Sequence, residues 1–193
     1  TGEIDIAQAL PSDLVDQVRT AGLEIAETYQ GRAHIVVFDV FKDSPVRDRR
    51  VRQALNYAID KQAIIKGLLG GHARELRGQL VGPDAFGYNP DLEPYPFDPE
   101  RAKELLAEAG FPDGFEIAMS APVGGYYQDK TTAEAIVGYL EGVGVRANLT
   151  VREYATHISM RAEGTLDPIF FHAFNYFPQM DADRIMGWFL SYK

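Results

Sequence analysis

An α/β fold, with a mostly parallel sheet flanked by helices, is predicted by three observations. From residue 115 onward, strand-like and helix-like segments alternate as β-α-β-α-β-α. The helical segments carry apolar residues at i, i+3, i+4 and i+7 and end at glycine. The chain is 193 residues long and 46% apolar, enough to bury a core as one domain.

Taken in order, Leu23–Tyr29 alternates loosely and reads as a strand, and His34–Phe41 is β-branched and aromatic, as a buried strand is. Asp43-Ser-Pro-Val-Arg-Asp48 is a polar, proline-broken turn. Val51, Ala54, Leu55 and Ala58 then mark a helix. Asp60 starts the next, lined by Ile64, Ile65, Leu68 and Leu69 and closed by Gly70-Gly71. Residues 72–97 are rich in Gly and Pro, and read as a long loop of functional or bridging type. Asp98-Pro99 is a helix start, with Ala102, Leu105, Leu106 and Ala109 inward and Gly110 as the stop. Phe115–Ala121 reads as a strand, followed by a helix with Ala133, Ile136, Val137 and Leu140 inward. Val145–Val151 is the next strand, 154–163 a short helix, Asp167–Phe174 a strand, and a last helix starts near Asp183.

Composition narrows the chemistry. Nineteen Lys and Arg against 28 Asp and Glu leave a net charge of −9, which argues against nucleic acid or anionic lipid as a partner. No Cys is present, so thiol catalysis, Fe–S clusters and disulfides are excluded. No stretch approaches the ~20 apolar residues that a membrane-spanning helix needs. The chain starts Thr1-Gly2-Glu3 and closes on the apolar run Trp188–Lys193, the ends expected of a piece cut from a longer chain.

Catalytic signatures are weak. His34, His72, His157 and His172 are isolated in sequence, and neither a nucleophile elbow nor a phosphate-binding P-loop occurs. Asp181-Ala-Asp183 reads as a turn acid plus a helix N-cap in preference to a metal fragment. No cofactor is implied. In a mostly parallel sheet, ligands sit beyond the carboxyl ends of the strands. The loops expected there are Ser120–Gln128 and His172–Asp181, rich in aromatics and amides: Tyr126, Tyr127 and Gln128 in one, Phe174, Asn175, Tyr176 and Phe177 in the other.

Several ordered blocks carry a resemblance. Asp48-Arg-Arg-Val-Arg-Gln-Ala-Leu-Asn-Tyr-Ala-Ile-Asp-Lys61, Gly87–Pro99 running into Ala102–Gly114, Leu140–Val145 and Gly164–Asp167 resemble the family 5 solute-binding proteins of ABC importers. That group includes oligopeptide-, dipeptide- and nickel-binding members, and the opening Thr1–Ile6 is similar to its segment before the crossing to the second lobe. The resemblance implies a type II periplasmic-binding-protein lobe. Residues 1–193 would be the C-terminal lobe of a longer two-lobe protein whose N-terminal lobe is absent here. It also implies a periplasmic or extracytoplasmic location, with a small-molecule solute and a membrane permease as partners. The arginines and aspartate of the Val51 helix are expected to serve caps and packing.

Arg161 falls where peptide-binding relatives place a cleft arginine, and Gln128 lies near a cleft position. With Tyr126, Phe174, Asn175 and Tyr176 they form the candidate ligand set. Peptide binders of this kind carry an Asp after the last strand for the ligand's amino terminus, and Phe174–Gln179 has no carboxylate. A buried ammonium without a counter-charge costs several kcal/mol, which points to a neutral, sugar-like or anionic solute over ordinary peptides. The alternative is a stand-alone α/β enzyme or sensor domain.

Overall fold

The computed structural model describes residues 6–7, 10–27, 31–175 and 181–183. Six helices and four strands follow in the order α1 (Val15–Thr20), β1 (Arg32–Phe38), α2 (Arg49–Tyr57), α3 (Lys61–Leu68), α4 (Pro99–Glu108), β2 (Phe115–Val123), α5 (Asp129–Glu141), β3 (Val145–Glu153), α6 (Tyr154–Ala162) and β4 (Ile169–Asn175). The strands form one sheet in the order β1-β4-β2-β3. β2 is parallel to β3 and β4, while β1 runs antiparallel to β4. The expected mostly parallel sheet flanked by helices is therefore present, with one antiparallel edge.

Strand alternation sorts the two faces. Ile117, Met119, Ala121, Val145, Ala147, Ile169 and Phe171 share one core with α2, α4 and α5, through Val51, Leu55, Leu105, Leu106, Ala133, Ile136 and Leu140. On the other face of β1 and β4, Ala33, Ile35 and Phe174 pack under the long loop, against Val81, Ala85 and Leu80. The loop over 72–97 thus bridges: it lacks helix or strand, yet it covers an edge of the sheet that would otherwise be wet. α6 lies on this second face too, where His157 meets Phe170 and His172.

Local chemistry sets the helix ends. Asp48, Asp60 and Asp98 each accept a backbone N–H in the first turn, of Arg50, Ala63 and Arg101 respectively. The arginines after Asp48 serve packing as expected: Arg50 donates to the Glu108 carbonyl at 2.6 Å, and Arg52 to the carbonyls of Val46 and Arg47 at 2.8 and 2.9 Å. Gly114 (φ +76°) cannot be replaced without rebuilding, because a Cβ there would sit 1.9 Å from the Gly144 carbonyl oxygen at the start of β3. Asp98→Ala removes a cap and should cost about 1 kcal/mol. A urea midpoint equal to the parent's would refute the cap's contribution.

Three sequence expectations need correction. Residues 23–27 are irregular, Leu23 is 62% exposed, and 28–30 lie outside the described residues, so no strand is seen in that segment. The next strand starts at Arg32 and stops at Phe38: Asp39 makes a last link to the Pro168 carbonyl, and its carboxylate then turns the chain by accepting the Phe41 N–H. β4 runs from Ile169 to Asn175, one residue past the expected end at Phe174, because Arg32 extends the antiparallel ladder, so Asn175 lies in a strand instead of a loop. The expected final helix, starting near Asp183, lies outside the described residues beyond that position.

Candidate functional site

β2 and β4 pair only at Met119–Ile169 and Ser120–Phe170, and then part. β2 continues to Val123, and its carboxyl end feeds a short loop, Gly124–Gln128, into α5. Tyr126 stands at this split and meets histidines from both faces of the sheet. Its ring lies 6.1 Å from that of His34 and 5.7 Å from that of His172, and its hydroxyl is 3.1 Å from His172 Nδ1. Tyr154, at the head of α6, packs edge-on at 5.3 Å.

The loop holds this shape because Asp129 closes it. That carboxylate accepts the backbone N–H groups of Gly125, Tyr126 and Lys130 at 2.9, 3.0 and 2.7 Å. Gln128 is driven into the left-handed region (φ 53°), which costs a residue with a side chain about 1–2 kcal/mol. The three bonds to Asp129 offset that strain. A Cβ at Gly125 would lie 2.1 Å from the Tyr154 ring, so any larger residue there forces that ring to shift.

Around Tyr126 the side chains form a continuous aromatic and imidazole layer. His172 contacts Phe174 at 4.7 Å and stacks on His157 at 6.2 Å and 18°. The Arg161 guanidinium lies 5.9 Å from the Phe174 ring centre, and Arg32 lies 6.0 Å from that of Tyr126. His157 is fully buried, and no hydrogen bond of ordinary geometry from a described residue reaches its ring nitrogens, although the Phe171 main chain is near enough to favour a ring proton.

Electrostatics follow from burial beside arginines. Desolvation first, then Arg161 and His157, push His172 down to about 3. His157 falls to about 4 through desolvation, then Arg152 and Arg161. His34 also falls to about 4, through desolvation and then Arg32. All three imidazoles are neutral at pH 7. Burial, with Tyr154 alongside, raises the Tyr126 phenol, so it stays protonated. The layer offers neutral donors, acceptors and ring faces, edged by two guanidiniums. No group of three or more metal-ligating side chains occurs among the described residues.

Of the sequence candidates, the structure brings Tyr126, Arg161 and Phe174 together about His172. Asn175 ends the same strand, exposed and opposite Arg32. Gln128 sits two residues beyond Tyr126 at the head of α5. Tyr176 lies outside the described residues. Sequence reasoning missed the stacking of His157 on His172, and the place of Tyr126 between His172 on one face and His34 on the other. A partial signal existed: in Phe170-Phe-His-Ala-Phe174, strand alternation puts His172 on the face of Phe170 and Phe174.

The chain is thus an α/β unit with a mixed, mostly parallel sheet, and a polar, ring-lined layer lies at the carboxyl end of β2. The chain belongs to the bacterial extracellular solute-binding proteins, family 5, whose middle-region model matches residues 1–192. It is 35% identical over 170 residues to heme-binding protein A of Haemophilus influenzae, covering 84% of this chain and 28% of that protein. It is 34% identical over 157 residues to the dipeptide-binding protein of Escherichia coli, covering 80% and 29%. The structure of HbpA2 from Haemophilus parasuis superposes with a TM-score of 0.82 at 28% identity, covering 96% of this chain and 37% of that one. The sheet has the type II periplasmic-binding-protein lobe topology seen in such structures. The chain spans less than a third of the length of these two sequence relatives.

Proposed function

We propose that this chain is one lobe of a two-lobe, non-catalytic solute-binding component of an ABC importer, acting outside the cytoplasmic membrane. The family match over 1–192 carries the reading. The solute is small and peptide-like, in keeping with relatives such as the dipeptide-binding protein of Escherichia coli. It lies beyond the carboxyl end of β2, against Tyr126, Phe174 and Arg161, with Gln128, Asn175 and Tyr176 at the margin. The second lobe comes from the remainder of a longer polypeptide and closes over the solute. Because the solute touches both lobes only in the closed form, its binding biases a two-state hinge, and the closed form is what a membrane permease engages.

The charge pattern supports a division of labour within the site. Asp129 is committed to three N–H groups, and the ring layer carries arginines at its edge. This lobe therefore receives the uncharged or anionic part of the solute, and an ammonium group is left to the rest of the protein. The missing carboxylate after Phe174 bears on the same point, although residues 176–180 lie outside the described residues.

Native mass spectrometry of the full-length protein tests the reading. The expected spectrum shows a small adduct that is lost on denaturation and reduced in Tyr126→Ala. A full-length protein with no adduct and no calorimetric response to di- and tripeptides would move the assignment to a stand-alone domain.

A further inference from the structure

The arginine-rich stretch at the start of α2 holds more than its caps and packing use. Val51, Ala54, Leu55 and Ala58 face the core, which puts Arg49, Arg52, Gln53 and Asn56 (i, i+3, i+4, i+7) on the opposite stripe. These four side chains, with Phe38 and Tyr95, line a hollow of about 290 Å³. That volume lies at the lower end of small-molecule sites. Phe38 pairs with Ile169, at the end of β4 opposite to Asn175, so the hollow is remote from the Tyr126 layer.

Its polar groups are partly fixed and partly unspent. Arg52 is anchored through Nη1 to two carbonyls, and Asn56 Nδ2 donates to the Arg52 carbonyl at 2.9 Å. Tyr95 is seated by edge-on contact with Tyr57 at 5.0 Å and by Lys61, which donates to its carbonyl at 3.1 Å. Arg49 makes no hydrogen bond or ion pair with any described residue. Eight arginines elsewhere each reach a carboxylate. In a chain with net charge −9, this hollow is walled by two arginines, two amides and two rings, and by no acid.

We propose that this hollow is a second binding site, for a small aromatic carboxylic acid. The carboxylate would sit between Arg49 and Arg52, where a guanidinium's planar fork matches it. The flat body would lie against Phe38 and Tyr95, and the Gln53 amide would border it. A bare inorganic anion would gain the charge contact but leave the rings wet, and a neutral aromatic would leave the guanidiniums uncompensated.

Calorimetric titration of the full-length protein with phthalate, inorganic phosphate and benzamide tests this. Phthalate should bind saturably, at least tenfold tighter than either of the others. Arg49→Gln removes a side chain that bonds to no described residue, so the variant should keep the parent's melting temperature while weakening phthalate at least tenfold. Tyr95→Ala should weaken phthalate more than phosphate. No saturable phthalate binding would overturn the proposal. So would binding that is equal in the parent and Arg49→Gln, which would place the acid elsewhere.

Discussion

Phe171→Ala is expected to destabilise the protein by about 3–5 kcal/mol, the range for removing a buried aromatic ring. Phe171 is 1% exposed and sits in the core shared by the sheet, α2, α4 and α5. It also meets His34 edge-on at 5.3 Å and 82°, so the ring supports the site's first imidazole as well as the core. β4 is the central link between antiparallel β1 and parallel β2, and a cavity there is walled on both sides by strands that cannot collapse inward without breaking their ladders. Against a typical total stability of about 5–15 kcal/mol, the loss is severe. For a chain of this size the melting temperature should fall by roughly 6–20 °C. Phe171→Leu, which refills most of the volume, should recover much of it. A shift in Phe171→Ala of only a degree or two would refute this placement of the ring.

Helices α2, α3 and α4 were the most legible elements, because each carries its own start signal, whereas α1, whose N-cap Leu14 makes no side-chain cap bond, was not read. Asp48, Asp60 and Asp98 are local caps, and their bonds span two or three residues. The parallel strands were also legible, since β2 and β3 are apolar on one face along most of their length. The edges were not. Whether β1 ends at Phe38 or Phe41 depends on the length of its partner, and β4 lengthens to Asn175 only because Arg32 lies opposite.

The same limit applied to the site. Tyr126, Arg161 and Phe174 were found from their positions relative to strand ends and from the family resemblance. The three histidines come from β1, α6 and β4, and nothing in their spacing brings them together. Tyr126 touches His34 on one face and His172 on the other at the point where β2 and β4 part after Ser120, a feature of pairing that is not written in either strand alone. Asp129 shows the reverse case. Nothing in the sequence reading singled it out, and in the structure it shapes the loop that presents Tyr126.

Those buried imidazoles make the fold acid-sensitive in a defined window. His34 and His157 titrate at about 4 and His172 at about 3, against an unfolded value near 6.5. Between those values the unfolded chain binds protons that the native protein refuses, so stability falls as pH falls. The histidine contribution is fully present above pH 6.5 and is lost progressively toward pH 3–4. At pH 5 the loss is on the order of 1–2 kcal/mol per histidine, similar for all three because pH 5 lies above each native value. Protonation is opposed by more than burial, because Arg161 faces both rings, Arg152 faces His157, and Asp167 is already paired with Arg152 at 3.3 Å. The carboxylates whose acidity is strengthened, Glu27 and Asp48, belong to a lower window and are solvent-exposed, so they do not blur the effect. Urea midpoints at pH 7.5, 6 and 5 should therefore drop steeply in the parent and less in His172→Gln, which exchanges the titrating ring for a neutral amide. Equal midpoints at pH 7.5 and 5 would mean that the imidazoles are wet in solution, and the ring layer about Tyr126 would then be open where the structure shows it closed.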